Sequence, residues 1–192
     1  MKSTKKELLL EAAKELFAEF GYTDTTFKKI SEKAGVALGL LTHHYGNKEK
    51  LFLAAGLDVL DELHRRLQQE MSKASTGLDS VKNYAECYFD FAADKETNFL
   101  VLVRCSPFSD LKASEDRDVM IKSFAVLYDD LESCIARGIG DGSIRKELPP
   151  RETAVAVFCN LVGGVRHMLL TPYGEPSTSS DVTDFILRSL EA

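Results

Sequence analysis

Three apolar stripes punctuated by glycine, all within the first fifty residues, constrain this chain more than anything that follows. Thr4 and Glu7 have the spacing of a capping box. After them Leu9, Ala12, Ala13, Leu16, Phe17 and Phe20 share one helical face until Gly21 stops it. Thr25 or Thr26 can cap a second short helix through about Lys33, with Phe27, Ile30 and Ala34 on one side. Gly35 breaks that helix, Val36 restores an apolar contact, and a third helix follows over about Ala37–His44. Gly46-Asn47 ends it, and Asn47 is placed to cap a long fourth helix. Two short helices joined by a tight glycine-containing turn form a helix-turn-helix, here over about residues 25–45.

The rest of the chain keeps the helical period. The fourth pattern runs through Leu51, Phe52, Ala55, Leu60, Leu63 and Leu67 to about Ala74, before the break at Ser75-Thr76-Gly77. A fifth helix is expected from a cap at Asp79 to about Asp94. Residues 97–105 are apolar and β-branched, but a single strand would lack a partner, so helix is preferred. Pro107 to Arg117 reads as a polar connection, Asp118–Gly138 as helix seven, and Ile139 to Pro150 as a loop. Helix eight runs from Pro150 to about Thr171 and is apolar on nearly all sides, so it needs cover on more than one face. A last short helix spans about Asp181–Leu190. The fold class is all-α, with about nine helices.

Charge and cysteine usage narrow the function classes. The net charge of −6 argues against a nucleic-acid partner until its distribution is considered. Residues 1–50 hold nine Lys and seven acids, a net of +2, which leaves −8 on the remainder. Glu7, Glu11 and Glu15 interrupt the apolar opening, so it is an amphipathic helix, not a leader; no later stretch approaches a membrane span. Cys87, Cys105, Cys134 and Cys159 are scattered, as free thiols in a reducing cytoplasm would be. There is no Gly-rich phosphate loop, nucleophile motif or metal-ligand spacing. Enzymatic activity, a metal and a cofactor are therefore not expected.

Residues 8–55 resemble the N-terminal domain of the tetracycline-repressor (TetR) family. The resemblance is carried by Ala13, Leu16, Phe17, Gly21, Tyr22, Thr25, Thr26, Ile30, Ala34, Gly35, Val36, Gly39, Leu41, Lys48 and Leu51. It implies a helix-turn-helix domain over residues 1–47 and a helical ligand-binding and dimerisation domain over 48–192. It also implies double-stranded operator DNA, a second copy of the chain and a small, largely apolar effector as partners. The expected function is a homodimeric repressor released from a near-palindromic operator by that effector. An activator or a ligand-independent repressor would have the same head, and a helical carrier or enzyme with a vestigial head is the reading from another class.

Within the head, Thr25 and Thr26 stand where a helix N-terminus can hold a phosphate, with N-capping as the plainer role. Lys48 and, more weakly, Lys28 and Lys29 are the candidate phosphate cations. Ala37 stands where the family usually has Ser, which loses a helix cap worth about 1 kcal/mol. Gly39 lets backbone approach DNA. Leu41 and Tyr45 are assigned to packing, which leaves Leu38, Leu40, Thr42, His43 and His44 for the groove. A leucine can rest on a thymine methyl, and an imidazole can bond a guanine acceptor or a phosphate. The shortage of Arg, Asn and Gln predicts modest direct readout with a preference for A·T-containing steps.

In the body, Tyr84, Cys87, Tyr88, Phe91, Phe99, Phe124, Tyr128 and Phe158 are candidate cavity residues, with Arg104, Asn160, Arg166 and His167 as polar groups that could orient an effector. Plain core and structural hydrogen bonds are the competing roles. For the dimer, a four-helix bundle from helices eight and nine of two copies would cover helix eight. Val155, Phe158, Val162, Gly163, Arg166 and Phe185 are its candidate residues.

Overall fold

The computed structural model describes residues 4–104, 111–112, 114–175 and 177–192. Its helices are α1 (Lys5–Asp24), α2 (Phe27–Ala34), α3 (Leu38–Tyr45), α4 (Lys48–Met71), α5 (Gly77–Ala93), α6 (Leu100–Arg104), α7 (Ser114–Asp141), α8 (Pro150–Leu170) and α9 (Thr178–Leu190). A 3-10 turn covers Lys95–Thr97, and the described residues contain no strand beyond one isolated bridge, Ile144 to Glu191. The all-α expectation holds, with local corrections. Cys105 and most of the expected 107–117 connection lie outside the described residues.

Packing divides the chain into two units, Met1–Asp61 with Lys95–Ser123, and Glu62–Asp94 with Phe124–Ala192. The functional boundary expected at 47/48 falls inside the first. In that unit Leu9, Ala13, Phe17, Ile30, Leu41, Leu51 and Phe52 form a buried core. Phe17, Tyr22 and Phe52 meet with ring centroids 5.1 to 6.0 Å apart. The capping box at Thr4 and Glu7 forms as read. Gly21, at φ 76° and ψ 177°, breaks α1, and a last turn continues to Asp24; only glycine takes such a conformation without strain. Phe20, expected on the buried face, is 45% exposed and lies under the Lys29 ammonium, 5.2 Å from the ring. It comes just before the break, where α1 has run past the core it packs on.

The described residues of 95–123 pack on α1 and α4 in the same unit. A Cβ at Gly56 of α4 would lie 2.8 Å from the Met120 methyl and 3.7 Å from Leu102, so glycine permits the approach. The segment expected as one helix over 97–105 is interrupted at Asn98, whose φ is 56°, and α6 starts only at Leu100. α7 begins four residues earlier than expected, at Ser114. Glu115 and Asp116 in its first turn suit the positive end of the helix dipole.

In the second unit α5 is capped by Thr76, whose hydroxyl accepts from the Asp79 N–H at 3.1 Å. Asp79, the expected cap, instead accepts from the Ser75 hydroxyl at 2.8 Å. α5 starts against α7 with glycine facing glycine: a Cβ on Gly77 would sit 2.0 Å from the Gly138 nitrogen. α8 buries Ala154, Val157, Phe158, Leu161 and Val165 and leaves Val155, Ala156, Cys159 and Gly163 exposed. By length and composition it is the one helix among the described residues that could cross a membrane, with a mean hydropathy of 1.5, which the sequence pattern did not suggest. Its exposed side also carries Asn160 and Arg166.

Candidate nucleic-acid interface

The turn between α2 and α3 is closed by two backbone hydrogen bonds around a left-handed glycine. Gly35 takes the left-handed conformation, φ 62° and ψ 31°, at the end of α2. Its N–H and that of Val36 donate to the Glu32 and Ser31 carbonyls at 3.2 and 3.0 Å. Val36 then tucks into the core and α3 starts at Leu38. Its N-cap, Ala37, makes no side-chain hydrogen bond. The Gly46 N–H closes the helix on the Thr42 carbonyl at 2.8 Å, and the Asn47 side chain caps α4 through the Lys50 N–H at 2.9 Å.

Leu41 is fully buried and fixes how α3 is rotated. At 100° per residue, Gly39 and His43 then lie opposite Leu41, with Leu40 and Thr42 on either shoulder. Gly39, Thr42, His43 and His44 are exposed and Leu40 is half-buried. Leu38, at the first turn, is 48% exposed. The two imidazoles meet edge to face, 5.3 Å between centroids. A Cβ at Gly39 would touch nothing within 4 Å, so the backbone there is open to a groove. Gly39, Leu40, Thr42 and His43 thus lie on the side of α3 turned away from Leu41, while Leu38 and His44 lie about 60° to either side of it.

Two other expectations do not survive. Thr25 is fully buried, and its hydroxyl donates to the Leu16 and Gly21 carbonyls at 3.0 and 2.8 Å, so it cannot meet a phosphate. Thr26 is the cap of α2, accepting from the Lys29 N–H at 3.2 Å, and it remains exposed. The Lys48 ammonium donates to the carbonyls of Tyr22 (2.8 Å), Thr25 (3.1 Å) and Thr23 (3.4 Å) and rests 4.3 Å from the Tyr22 ring centre. It closes the end of α1 and is not presented for DNA. Lys28 is exposed, with Glu32 no closer than 3.9 Å. Lys29 donates to the Asp24 carbonyl at 2.8 Å.

The residues from 9 to 55 match the bacterial regulatory proteins of the tetR family. The match covers 47 of the 192 residues, the helix-turn-helix head alone. Over 147 residues, 76% of this chain and 70% of the relative, it is 26% identical to the HTH-type transcriptional repressor KstR2 of Mycolicibacterium smegmatis. Two solved structures share the fold over nearly their whole length. The regulator FadR from Bacillus subtilis in complex with stearoyl-CoA has a TM-score of 0.80 at 20% identity, covering 95% of this chain and 98% of that one. A regulator from Saccharomonospora viridis in complex with choline has a TM-score of 0.86 at 17% identity, covering 97% of each chain.

In the body of the chain the candidate residues change places. Phe158, a candidate for both the cavity and the dimer face, is 4% exposed, which takes it off the outer face. Its ring lies 4.3 Å from that of Tyr128 and 5.8 Å from that of Tyr88, which in turn stacks on Tyr84 at 6.4 Å. Residue 158 lies at the edge of the buried stripe 154/157/161/165, only about 60° and 40° around α8 from 155 and 162, and its ring turns inward. Tyr84 donates its hydroxyl to the Leu127 carbonyl at 3.1 Å, and Phe124 is half-buried on α7. Phe91 lies under the Arg66 guanidinium, 5.0 Å away. Phe99 is buried in the other unit, where the exposed Arg104 donates to the Glu19 carbonyl at 2.8 Å. Arg104 is thus a strap from α6 to α1 and not part of a cavity.

Asn160 and His167, expected to orient an effector, lie on the outer side of α8, with the Asn160 amide donating back to the Ala156 carbonyl at 2.8 Å. They border a recess of about 420 Å³ with Gly163, Gly164, Thr178 and Val182. Val155, Gly163, Arg166 and Phe185 are exposed beside it, and Val162 is half-buried. The sequence reading missed a polar groove of about 380 Å³ between α4 and α5, lined by Arg65, Gln69, Asn83, Glu86 and Cys87 among others. Burial pushes the Cys87 thiol up to about 11, so it is not a thiolate at neutral pH. A helical period alone carries no signal for such a groove.

Proposed function

We propose that this regulator is a homodimeric repressor that leaves a near-palindromic operator when a small, largely apolar effector binds its body. The observation that carries the reading is the α3 ridge: Gly39 and His43 face outward, Leu40 and Thr42 flank them, and buried Leu41 holds the rotation. Such a ridge is shaped for a major groove and offers methyl contact and imidazole bonding in place of arginine forks. Thr26 and Lys28, at the start of α2, face the flanking phosphates. Residues 1–47 act as the reading head and 48–192 as the effector and dimer body, in the cytoplasm where its DNA is.

Two heads would occupy successive major grooves about 34 Å apart. The exposed apolar stripe of α8 and α9 supports pairing of two copies. Release requires an effector whose affinity differs between the DNA-competent and released states, since only that difference moves the equilibrium. The ligands bound by the two fold neighbours, stearoyl-CoA and choline, differ too much to transfer. The interior rings of Tyr84, Tyr88, Tyr128 and Phe158 favour an apolar effector.

The test is a binding selection on random DNA with the purified full chain, repeated with candidate ligands. The expected outcome is a two-fold-related site containing A·T steps, with salt-sensitive binding and ligand-induced release. Recovery of G·C-only sites overturns the readout, and no enrichment overturns the function.

A further inference from the structure

The first fifty residues contain nine lysines, eight of them described, and the structure fixes the occupation of most of the eight. Lys14 is paired with Glu11 and Asp58 at 2.7 and 2.6 Å, and Lys33 with Glu15 at 2.7 Å. Lys50 is paired with Asp116 at 2.5 Å. Lys48 and Lys29 are turned onto carbonyls, and Lys28 has Glu32 at the limit of pairing, 3.9 Å. Lys5 and Lys6 are the only two described lysines of the head with neither a carboxylate nor a carbonyl partner. The acids of the same stretch are occupied: Glu7 accepts from the Thr4 N–H at 2.9 Å, and Glu11 holds Lys14.

Lys6 is not loosely placed. The Tyr45 hydroxyl, at the last residue of the recognition helix, donates to the Lys6 carbonyl at 3.1 Å. The Lys6 ammonium stands 6.0 Å from the centre of the Tyr45 ring. Lys5 points about 100° away around α1, so the tether selects Lys6. A major groove about 12 Å wide is bordered by two phosphate strands. Thr26 and Lys28 lie at the start of α2, the helix that crosses one strand in this motif. The other end of α3 has no lysine of its own.

Resting on the DNA-binding reading above, we propose that Lys6 is a phosphate contact at the C-terminal end of the recognition helix, and that Tyr45 positions it there. A Phe at position 45 could pack its ring in the same place but would have no hydroxyl to tie α1 to α3. The ligand class is the DNA backbone phosphate, and the contact is independent of sequence.

The experiment measures binding of the full chain to a fluorescein-labelled duplex recovered by selection from random DNA, and to a scrambled duplex of equal length, from 0.15 to 1 M salt. Each phosphate contact contributes about 0.9 to the slope of log affinity against log salt. Lys6→Gln should lower the slope by about 1.8 for two heads, which over that range corresponds to about 30-fold weaker binding at 0.15 M. The loss should be equal on both duplexes. Lys6→Arg should keep the slope, and Tyr45→Phe should lower it by a smaller amount with the fold intact by thermal melting. Lys33→Gln, at a lysine already paired, should leave it unchanged. A Lys6→Gln slope equal to that of Lys33→Gln overturns the proposal while leaving the DNA-binding reading in place. Failure of the wild type to bind any duplex overturns both.

Discussion

The Lys48 ammonium donates to the Tyr22 carbonyl oxygen at 2.8 Å, so the first residue of α4 closes the open end of α1. Gly21 breaks α1 and leaves its last carbonyls without intrahelical donors, and a cation there meets both that need and the helix dipole. Lys48→Met should therefore cost about 2 kcal/mol of unfolding free energy, since hydrogen bonds from charged donors are worth about 1.5–3 kcal/mol and this side chain is partly exposed. Urea unfolding checks the stability. The salt slope of DNA binding should barely move; a fall of a full phosphate contact per head would return Lys48 to the interface.

The two adjacent threonines should separate cleanly. Thr25→Val keeps shape but removes the hydroxyl that ties α1 to the start of α2, and should cost about 1–2 kcal/mol. Thr25→Ser should recover most of it. Thr26→Ala removes the α2 cap, costs about 1 kcal/mol, and should also weaken DNA binding at low salt. Paired urea and anisotropy titrations distinguish them, and equal DNA-binding losses in both would contradict the burial of Thr25.

At Ala37 the N-cap of α3 is left without a side-chain acceptor. Ala37→Ser supplies one and should stabilise by about 0.5–1 kcal/mol. For a chain of this size that raises Tm by about 1–4 °C in a thermal melt. An unchanged Tm would mean that the extended backbone at Ala37 does not present a hydroxyl to the first turn.

Much of the head was legible because its punctuation is local. A capping box, a glycine at a left-handed turn and a cap at Asn47 each act within a few residues, so Thr4, Gly35 and Asn47 were placed correctly. Thr25 and Lys48 were misread because their partners lie nine and twenty-six residues away, on carbonyls that no side-chain pattern records. In the body the period identified apolar stripes but left their phase open. Phe158, read both as a cavity residue and as a dimer residue, lies inside, and Asn160, read as an effector contact, lies on the outer side of α8. The glycine-to-glycine approach of Gly77 and Gly138 had no local signal at all.

Acid should loosen the second unit where carboxylates serve backbone donors. Asp141 is held below its usual 3.8, first by the Ser143 hydroxyl and then by the Gly77 and Ser143 N–H groups. A carboxylate with a depressed folded-state pKa contributes stability that is present above its unfolded value and is lost as pH falls through the folded one. Asp79, lowered by the Ser75 and Thr76 hydroxyls, has the same sign. The Tm of the wild type should thus begin to fall below about pH 4, and Asp141→Asn should flatten part of that limb. An identical acid limb in the variant would assign the loss elsewhere.

Phe185 is 60% exposed on α9 and Val155 41% exposed on α8, beside the recess at Gly163 and His167. Two copies related by a two-fold axis would bury this stripe against itself, because an isologous interface matches one patch with its own image. Wild-type protein should then scatter light at twice its 21.3 kDa chain mass. Phe185→Asp places a charge in that interface and should return a single chain. Operator affinity should fall about 10²–10⁴-fold with it, since the second head no longer benefits from an effective concentration near millimolar. Phe158→Leu, altering the interior ring cluster, should lower Tm and leave the mass doubled. A Phe185→Asp variant that still scatters as two chains would move the dimer contact off the α8–α9 stripe.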